Sequence, residues 1–284
     1  MKTQQIYSIV DAYAKRIETN KVDLSLKRGG LQRICESLEP GLTIVGGRPR
    51  MGCTSFVLSM AIELAKAGKC VLFYGHPHHK IEDKIIRYVG RKEGCSCPFL
   101  KDLPFHFAHM FYAEDFTALK SGLCEDIARL RPDYVFIDCL QDIPVDNRLI
   151  NNGMTQEEYL CRELRDLAYR MDIPIVAVAR LNRNPEKRSG IEAKIPQLGD
   201  FNGGDLAYYA ALVIFPYRPE YYHIYHDDRT GEDIRGYMYI YEGCDRAPWL
   251  EMRLRFDHHT ARVYDPEQEL WVDENGDTPA DLPF

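Results

Sequence analysis

Residues Gly46-Gly47-Arg48-Pro49-Arg50-Met51-Gly52-Cys53-Thr54-Ser55 follow a short apolar run, Leu42-Thr43-Ile44-Val45, and precede a helical pattern over 56–66. Strand, glycine-rich turn and helix in that order is the setting in which backbone N–H groups cradle phosphate. Gly47, Gly52 and Thr54 fall on the spacing G-x-x-x-x-G-K-[ST], and Cys53 stands where that pattern has lysine. The lysine of such a loop reaches the β- and γ-phosphates, and the hydroxyl after it holds Mg²⁺. The loop therefore confines the chain to folds that launch a helix from the end of a buried strand, and it does so without its central charge.

The rest of the chain repeats that alternation. Apolar runs at 70–74, 105–111, 134–137 and 173–178 read as strands, and helical patterns cover 80–89, 116–130 and 156–171 between them. Strands and helices alternating at this pitch predict βαβ units and a mainly parallel sheet covered on both faces. After residue 212 the character changes: 212–215, 237–241, 252–256 and 261–264 read as strands with no helix between them, which predicts an antiparallel C-terminal extension. At the other end, Ile6, Ile9, Val10, Tyr13, Ala14 and Ile17 form one stripe of an amphipathic helix over 4–19. That stripe suits packing on its own domain or on a neighbouring subunit.

Composition narrows the function classes. A chain of 284 residues, 45% hydrophobic, suits one sizeable domain with extensions or at most two small ones. No apolar run approaches the roughly 20 residues of a membrane helix, and Met1-Lys2-Thr3-Gln4-Gln5 opens no signal peptide. Nine scattered cysteines read as reduced thiols, so the expected compartment is the cytoplasm, with no membrane partner. A net charge of −7 excludes a global basic footprint, and any nucleic-acid contact must be local.

Several blocks, in order, resemble the C-terminal RecA-like motor domain of the DnaB family of replicative helicases. They are the loop block from Gly41 to Thr54 with its Arg48-Pro49-Arg50-Met51-Gly52; Asp133-Tyr134-Val135-Phe136-Ile137-Asp138-Cys139-Leu140-Gln141; the strand and loop from Ile173 to Arg188; Tyr217-Arg218-Pro219-Glu220-Tyr221-Tyr222; and Leu254-Arg255-Phe256-Asp257. The likeness runs from about Gly29 to Tyr264, and the family's N-terminal primase-contacting domain has no counterpart. It implies a RecA-like P-loop NTPase core over 41–264, a linker-type helix and connection over 1–40, and an acidic tail over 265–284. It also implies ATP with Mg as cofactors. Gly47, Arg48, Arg50, Gly52, Cys53, Thr54, Ser55, Asp138 and Gln141 would face the nucleotide, and Thr54 and Asp138 its Mg²⁺.

Departures from the family pattern concentrate on catalysis. Cys53 replaces the lysine. The general-base glutamate belongs after the second strand, where Gly75-His76-Pro77-His78 places Pro77 instead. Arg180 replaces the glutamine that ends the sensing strand. The Lys-Gln-Arg run that acts on the neighbour's nucleotide aligns with Gly243-Cys244-Asp245, with Arg246 one position off. Losing a base and a phosphate clamp each costs on the order of 10²–10⁴ in rate. Arg50 and Arg180 are the candidates for a substitute charge, and Glu82 and Asp83 for a substitute base.

Three further features carry hypotheses. Arg183, Lys187, Arg188 and Lys194 lie in the most basic local run, where the family's loop approaches single-stranded DNA. His76, His78 and His79, with Cys95 and Cys97, hold donor residues but match no zinc-finger or ribbon spacing, which favours ordinary solvated side chains. Cys53 opens a helix and is a candidate low-pKa thiol, with a plain buried thiol the better expectation. The end of the chain, Asp281-Leu282-Pro283-Phe284, is similar to the tips of bacterial single-stranded-DNA-binding proteins and predicts docking to enzymes that read such tips.

The leading expectation is a DnaB-like helicase domain of DNA replication or mobile-element maintenance. It binds ATP and single-stranded DNA, associates as a ring or with a partner helicase subunit, and hydrolyses poorly. An active helicase with rearranged catalytic groups and a non-enzymatic adaptor acting through its tail are the alternatives.

Overall fold

In the computed structural model, residues 30–88, 102–110, 113–150, 153–189, 194–243 and 252–266 are described. The expected helix over 4–19, Cys95 and Cys97, the residues Cys244, Asp245 and Arg246, and the tail residues Asp281, Leu282, Pro283 and Phe284 lie outside them.

Helix α1 (Gly30–Glu36) leads into strand β1 (Gly41–Gly47), every residue of which is buried. The alternating units follow: α2 (Cys53–Lys66), β2 (Val71–Gly75), α3 (Ile81–Tyr88), β3 (Phe105–His109), α4 (Phe116–Leu130), β4 (Tyr134–Asp138), α5 (Gln156–Met171) and β5 (Pro174–Arg180). A short helix, α6 (Asn184–Lys187), precedes β6 (Leu212–Tyr217), β7 (Tyr237–Glu242), β8 (Met252–Phe256) and β9 (Val263–Tyr264). The nine strands form one sheet in the order β3-β2-β4-β5-β1-β6-β7-β8-β9.

The order explains the pattern of sequence. From β3 to β6 across the sheet the strands pair in parallel; the inner ones, covered on both faces, read as near-continuous apolar runs, whereas edge strand β3 keeps His106 exposed. The antiparallel extension begins one strand later than expected. β6 pairs in parallel with β1, and the antiparallel ladder starts at β7. β6 runs parallel because its connection from β5 crosses back through α6 and the 3-10 turns at Leu198–Asp200 and Leu206–Tyr209.

One face of the sheet buries α1 and α2, the other α4 and α5. Helix α2 is buried along nearly its whole length, which is why its sequence lacks a polar stripe. Helix α5 starts where Thr155 and Glu158 form a reciprocal capping box, and Asp115 caps α4 by accepting from the Ala118 N–H at 2.9 Å. In the core, Phe136 of β4 stacks on Phe73 of β2, with ring centroids 5.9 Å apart and planes within 9°. Phe136 is wholly buried at the sheet's parallel centre. Replacing it with alanine leaves a cavity between two sheet strands and should cost about 3–5 kcal/mol. Urea unfolding checks this, with the midpoint falling and the slope unchanged.

Candidate functional site

Parallel strands bring their carboxyl ends to one rim, where α/β sheets carry ligand sites. The register pairs Gly47 of β1 with Arg180 of β5, and Gly75 of β2 with Asp138 of β4. Backbone bonds tie the rim together: the Leu181 N–H donates to the Gly47 carbonyl at 3.1 Å, and the His76 N–H to the Asp138 carbonyl at 3.2 Å.

The glycine loop turns from β1 into α2 over five residues. Gly52 caps α2 with φ 105°, a left-handed conformation that favours glycine, and no side chain caps the helix. Its first-turn N–H groups have no intrahelical acceptors, and together with the helix dipole they suit an anion.

The side chain within the loop is changed. Cys53 folds back over the loop, so that a β-carbon built on Gly47 would lie 2.1 Å from its Sγ. The thiol thus leaves no room for a side chain at position 47. Burial, and then the neighbouring Asp138 carboxyl, push the Cys53 thiol up to about 12. The low-pKa thiol weighed from the sequence is overturned: desolvation outweighs the helix N-terminus.

Asp138 ends β4 at 1% exposure, and neither of its carboxylate oxygens has a partner in hydrogen-bond geometry. Burial raises its pKa, opposed by His79, by the facing Thr54 hydroxyl and by Lys84. A buried carboxylate beside a threonine hydroxyl fits the hydrated shell of a divalent cation.

The arginines are mostly committed elsewhere. Arg48 is nearly buried and holds Glu186 of α6 at 2.8 Å and the Leu181 carbonyl at 2.8 Å. Arg180 places its guanidinium on Asp142, at 2.7 and 3.0 Å from the two oxygens, and its N–H donates to Gln141 Oε1 at 2.9 Å. A substitute phosphate charge from Arg180 would have to break that pair. Arg50 is exposed, at φ 70°, and its carbonyl accepts from Arg218 at 3.4 Å. Glu82 is paired with His109 at 2.9 Å.

Two groups were missed by sequence reasoning. Arg218, after β6, is 8% exposed and lies behind the loop, its guanidinium 4.1 Å from the Phe256 ring centroid. Its charge acts on the Cys53 thiol, and burial lowers its own pKa. The tyrosine-rich block around it was the available signal. The second group is His79 with Asp142. His79 ends the 3-10 turn Pro77–His79, and its Nε2 lies 2.7 Å from Asp142 Oδ2 and its Nδ1 3.7 Å from Asp138 Oδ2. Burial would raise the Asp142 carboxyl, but hydrogen bonds from His79 and Cys139 and the charge of Arg180 hold it well below the usual carboxylate range. Pro77 itself is exposed and opens that turn.

The basic run divides. Arg183 and Lys187 point to solvent on and beside α6. Arg188 grips the buried Asp200 through both carboxylate oxygens. Lys194 donates to the Glu186 carbonyl at 3.1 Å and lies over the Tyr222 ring. His76 and His78 stack on each other in the turn, 4.2 Å between centroids. Among the described residues no helix is long and apolar enough to cross a membrane.

With this geometry in place, comparison with known proteins is informative. Residues 117–264 match the family described as DnaB-like helicase C terminal domain. That stretch contains Asp138, Gln141, Arg180 and Arg218, and begins beyond the loop and the His76–His79 turn. A probable plasmid replicative DNA helicase of Chlamydia psittaci is 26% identical over 253 residues, covering 80% of this chain and 52% of that protein. The replicative DNA helicase DnaB of Buchnera aphidicola subsp. Baizongia pistaciae is 26% identical over 287 residues, covering 91% and 57%. The chain thus spans about half the length of the curated relatives it matches. A solved ATPase domain superposes with a TM-score of 0.71 at 16% identity, covering 93% of this chain and 99% of that one. A DnaB-like replicative helicase, solved in a study of its interactions with primase, gives 0.68 at 17%, covering 93% and 67%. These likenesses establish the RecA-like α/β fold with its antiparallel edge.

The unpartnered Asp138 yields a stability prediction. A carboxyl whose folded pKa is raised binds its proton more tightly folded than unfolded. The penalty for ionising it is complete above the folded pKa and absent below the unfolded value near 4. Asp138→Asn should therefore stabilise the ligand-free protein at neutral pH. The gain should shrink as the pH is lowered toward 4, read as the difference in melting temperature between variant and parent across that range.

Proposed function

Because the chain belongs to the DnaB-like helicase C-terminal domain family, we propose that it serves DNA replication or mobile-element maintenance as a motor-type domain that binds Mg-ATP but hydrolyses it poorly. The observation that carries this reading is the Cys53 thiol. It is protonated, buried and folded onto Gly47 within an otherwise intact cradle. Backbone amides, Thr54 and Asp138 supply a phosphate and Mg²⁺ site. Arg218 lies behind the loop with its charge opposed by Glu220 at 3.8 Å, so retained binding rests on the backbone amides and the Mg²⁺ site.

Three further observations support weak turnover. Pro77 stands exposed at the position of the general base. Glu82, a candidate replacement, is paired with His109. Arg180 is engaged by Asp142. The domain over 41–264 then works by assembly, as a subunit of a ring or against a partner helicase. Arg183 and Lys187 are its outward cations toward single-stranded DNA, while Arg188 and Lys194 shape the loop that presents them.

Two measurements on the full chain test this. Saturating Mg-ATP should raise the melting temperature by several degrees, as expected when a ligand at about 100 times its Kd adds about 2.7 kcal/mol. ATP turnover, with or without single-stranded DNA, should equal that of a protein-free control. Cys53→Lys should tighten ATP binding by about tenfold without restoring turnover, since no base is restored. DNA-stimulated turnover that Asp138→Asn abolishes would establish the active helicase instead. An unchanged melting temperature with Mg-ATP would point to an adaptor.

A further inference from the structure

The end of β4 and the turn after β2 bring together donor atoms that the nucleotide site does not use. His79 Nε2, Cys139 Sγ and a carboxylate oxygen of Asp142 all lie within 4.8 Å of one another. Cys139 caps the 3-10 turn Leu140–Asp142, and side chains three residues apart eclipse in such a turn. Cys139 and Asp142 therefore face the same way, with the thiol donating to Asp142 Oδ2 at 3.2 Å. His79 arrives from the other strand and meets that same oxygen at 2.7 Å.

A second observation points at a cation. Asp138, 1% exposed, sets Oδ2 3.7 Å from His79 Nδ1, the ring nitrogen opposite the one that meets Asp142, and its oxygens make no well-formed hydrogen bond. A buried carboxylate in that state is expensive unless a cation approaches it.

We propose that His79 Nε2, Cys139 and Asp142 form a binding site for a zinc-class divalent transition-metal ion at the base of the nucleotide cradle, with Asp138 on the far ring nitrogen of His79 as an outer-shell carboxylate. The donor set is one sulfur, one imidazole nitrogen and carboxylate oxygen, which suits borderline-soft ions and disfavours Mg²⁺. In tetrahedral zinc sites the bonds are about 2.0–2.3 Å, so neighbouring donors sit about 3.2–3.8 Å apart. His79 Nε2 and Cys139 Sγ lie 2.7 and 3.2 Å from Asp142 Oδ2, so inserting an ion requires that oxygen to exchange these contacts for one bond to metal. The ion displaces the thiol proton to solvent, and no redox change is involved. Arg180 remains on Asp142 and orients it, as outer-shell partners of metal ligands do. Arg180 and Lys84 are the positive groups facing the cluster, and the ion must bind against them. The sequence offered His79 in company with Cys95 and Cys97, whereas the fold gives it Cys139 and Asp142, about sixty residues away along the chain.

Cobalt titration of the full chain, without nucleotide, tests the site separately from ATP binding. One Co²⁺ per chain should give a thiolate-to-cobalt absorption band in the near ultraviolet. Zn²⁺ should abolish the band, and a large excess of Mg²⁺ should leave it. Cys139→Ser should remove the band. His79→Gln, a change at a partly exposed position that leaves the core intact, should weaken Co²⁺ binding by more than about tenfold. No stoichiometric uptake, a band of full strength in Cys139→Ser, or unchanged affinity in His79→Gln would each overturn the assignment.

Discussion

Strand β1 is hydrogen-bonded along both edges, to β5 on one side and β6 on the other, and both partners run parallel to it. The position of every group at the rim depends on that arrangement. Parallel pairing carries the ends of β1, β5, β4 and β2 to the same side of the sheet, so residues more than a hundred positions apart meet there. It also leaves no polar face, and each of these strands must be apolar on both sides until its last residue. That is where Gly47, Gly75, Asp138 and Arg180 stand. Antiparallel β7, β8 and β9 extend the sheet beyond β6 and cover the flank of α2, with Val263 donating its N–H to Ser59 at 2.9 Å.

Within that frame the loop and the strand ends share one kind of side-chain chemistry. A lysine in the loop would carry charge to a phosphate; a thiol there fills space against Gly47 and stays neutral. An arginine at the end of β5, beside an aspartate four residues after the β4 carboxylate, makes an internal pair instead of a sensing contact. His79 then joins Asp142 from the neighbouring strand. These changes share one physical character: groups that would face a ligand face each other. Asp138 is the exception, and its unpartnered oxygens keep the site open to a cation.

Much of this architecture was legible in sequence. The strand–loop–helix unit, the alternation through β5 and the boundaries of α4, α5 and β8 follow from periodicity and from caps such as Asp115 and Thr155, because burial on one face or two writes itself into local pattern. The direction of β6 was not legible, since an apolar strand reads alike whether its neighbour is parallel or antiparallel. Side-chain commitments were less legible still. Arg48, Arg180 and Arg188 look like free cations in the sequence and are each fastened to a carboxylate in the fold, and Arg218 hides inside an aromatic block.

By itself the sequence determined that this is an α/β chain with a phosphate-type loop, that the loop lacks its lysine, and which family's blocks it carries. Those properties reside in neighbours along the chain, where spacing is enough. Only the tertiary structure decided that Cys53 is a neutral thiol, that Arg180 serves Asp142, and that His79 meets Cys139 and Asp142. Protonation and pairing depend on burial and on distances of a few ångströms between strands, and these exist only once the parallel sheet has brought its ends together.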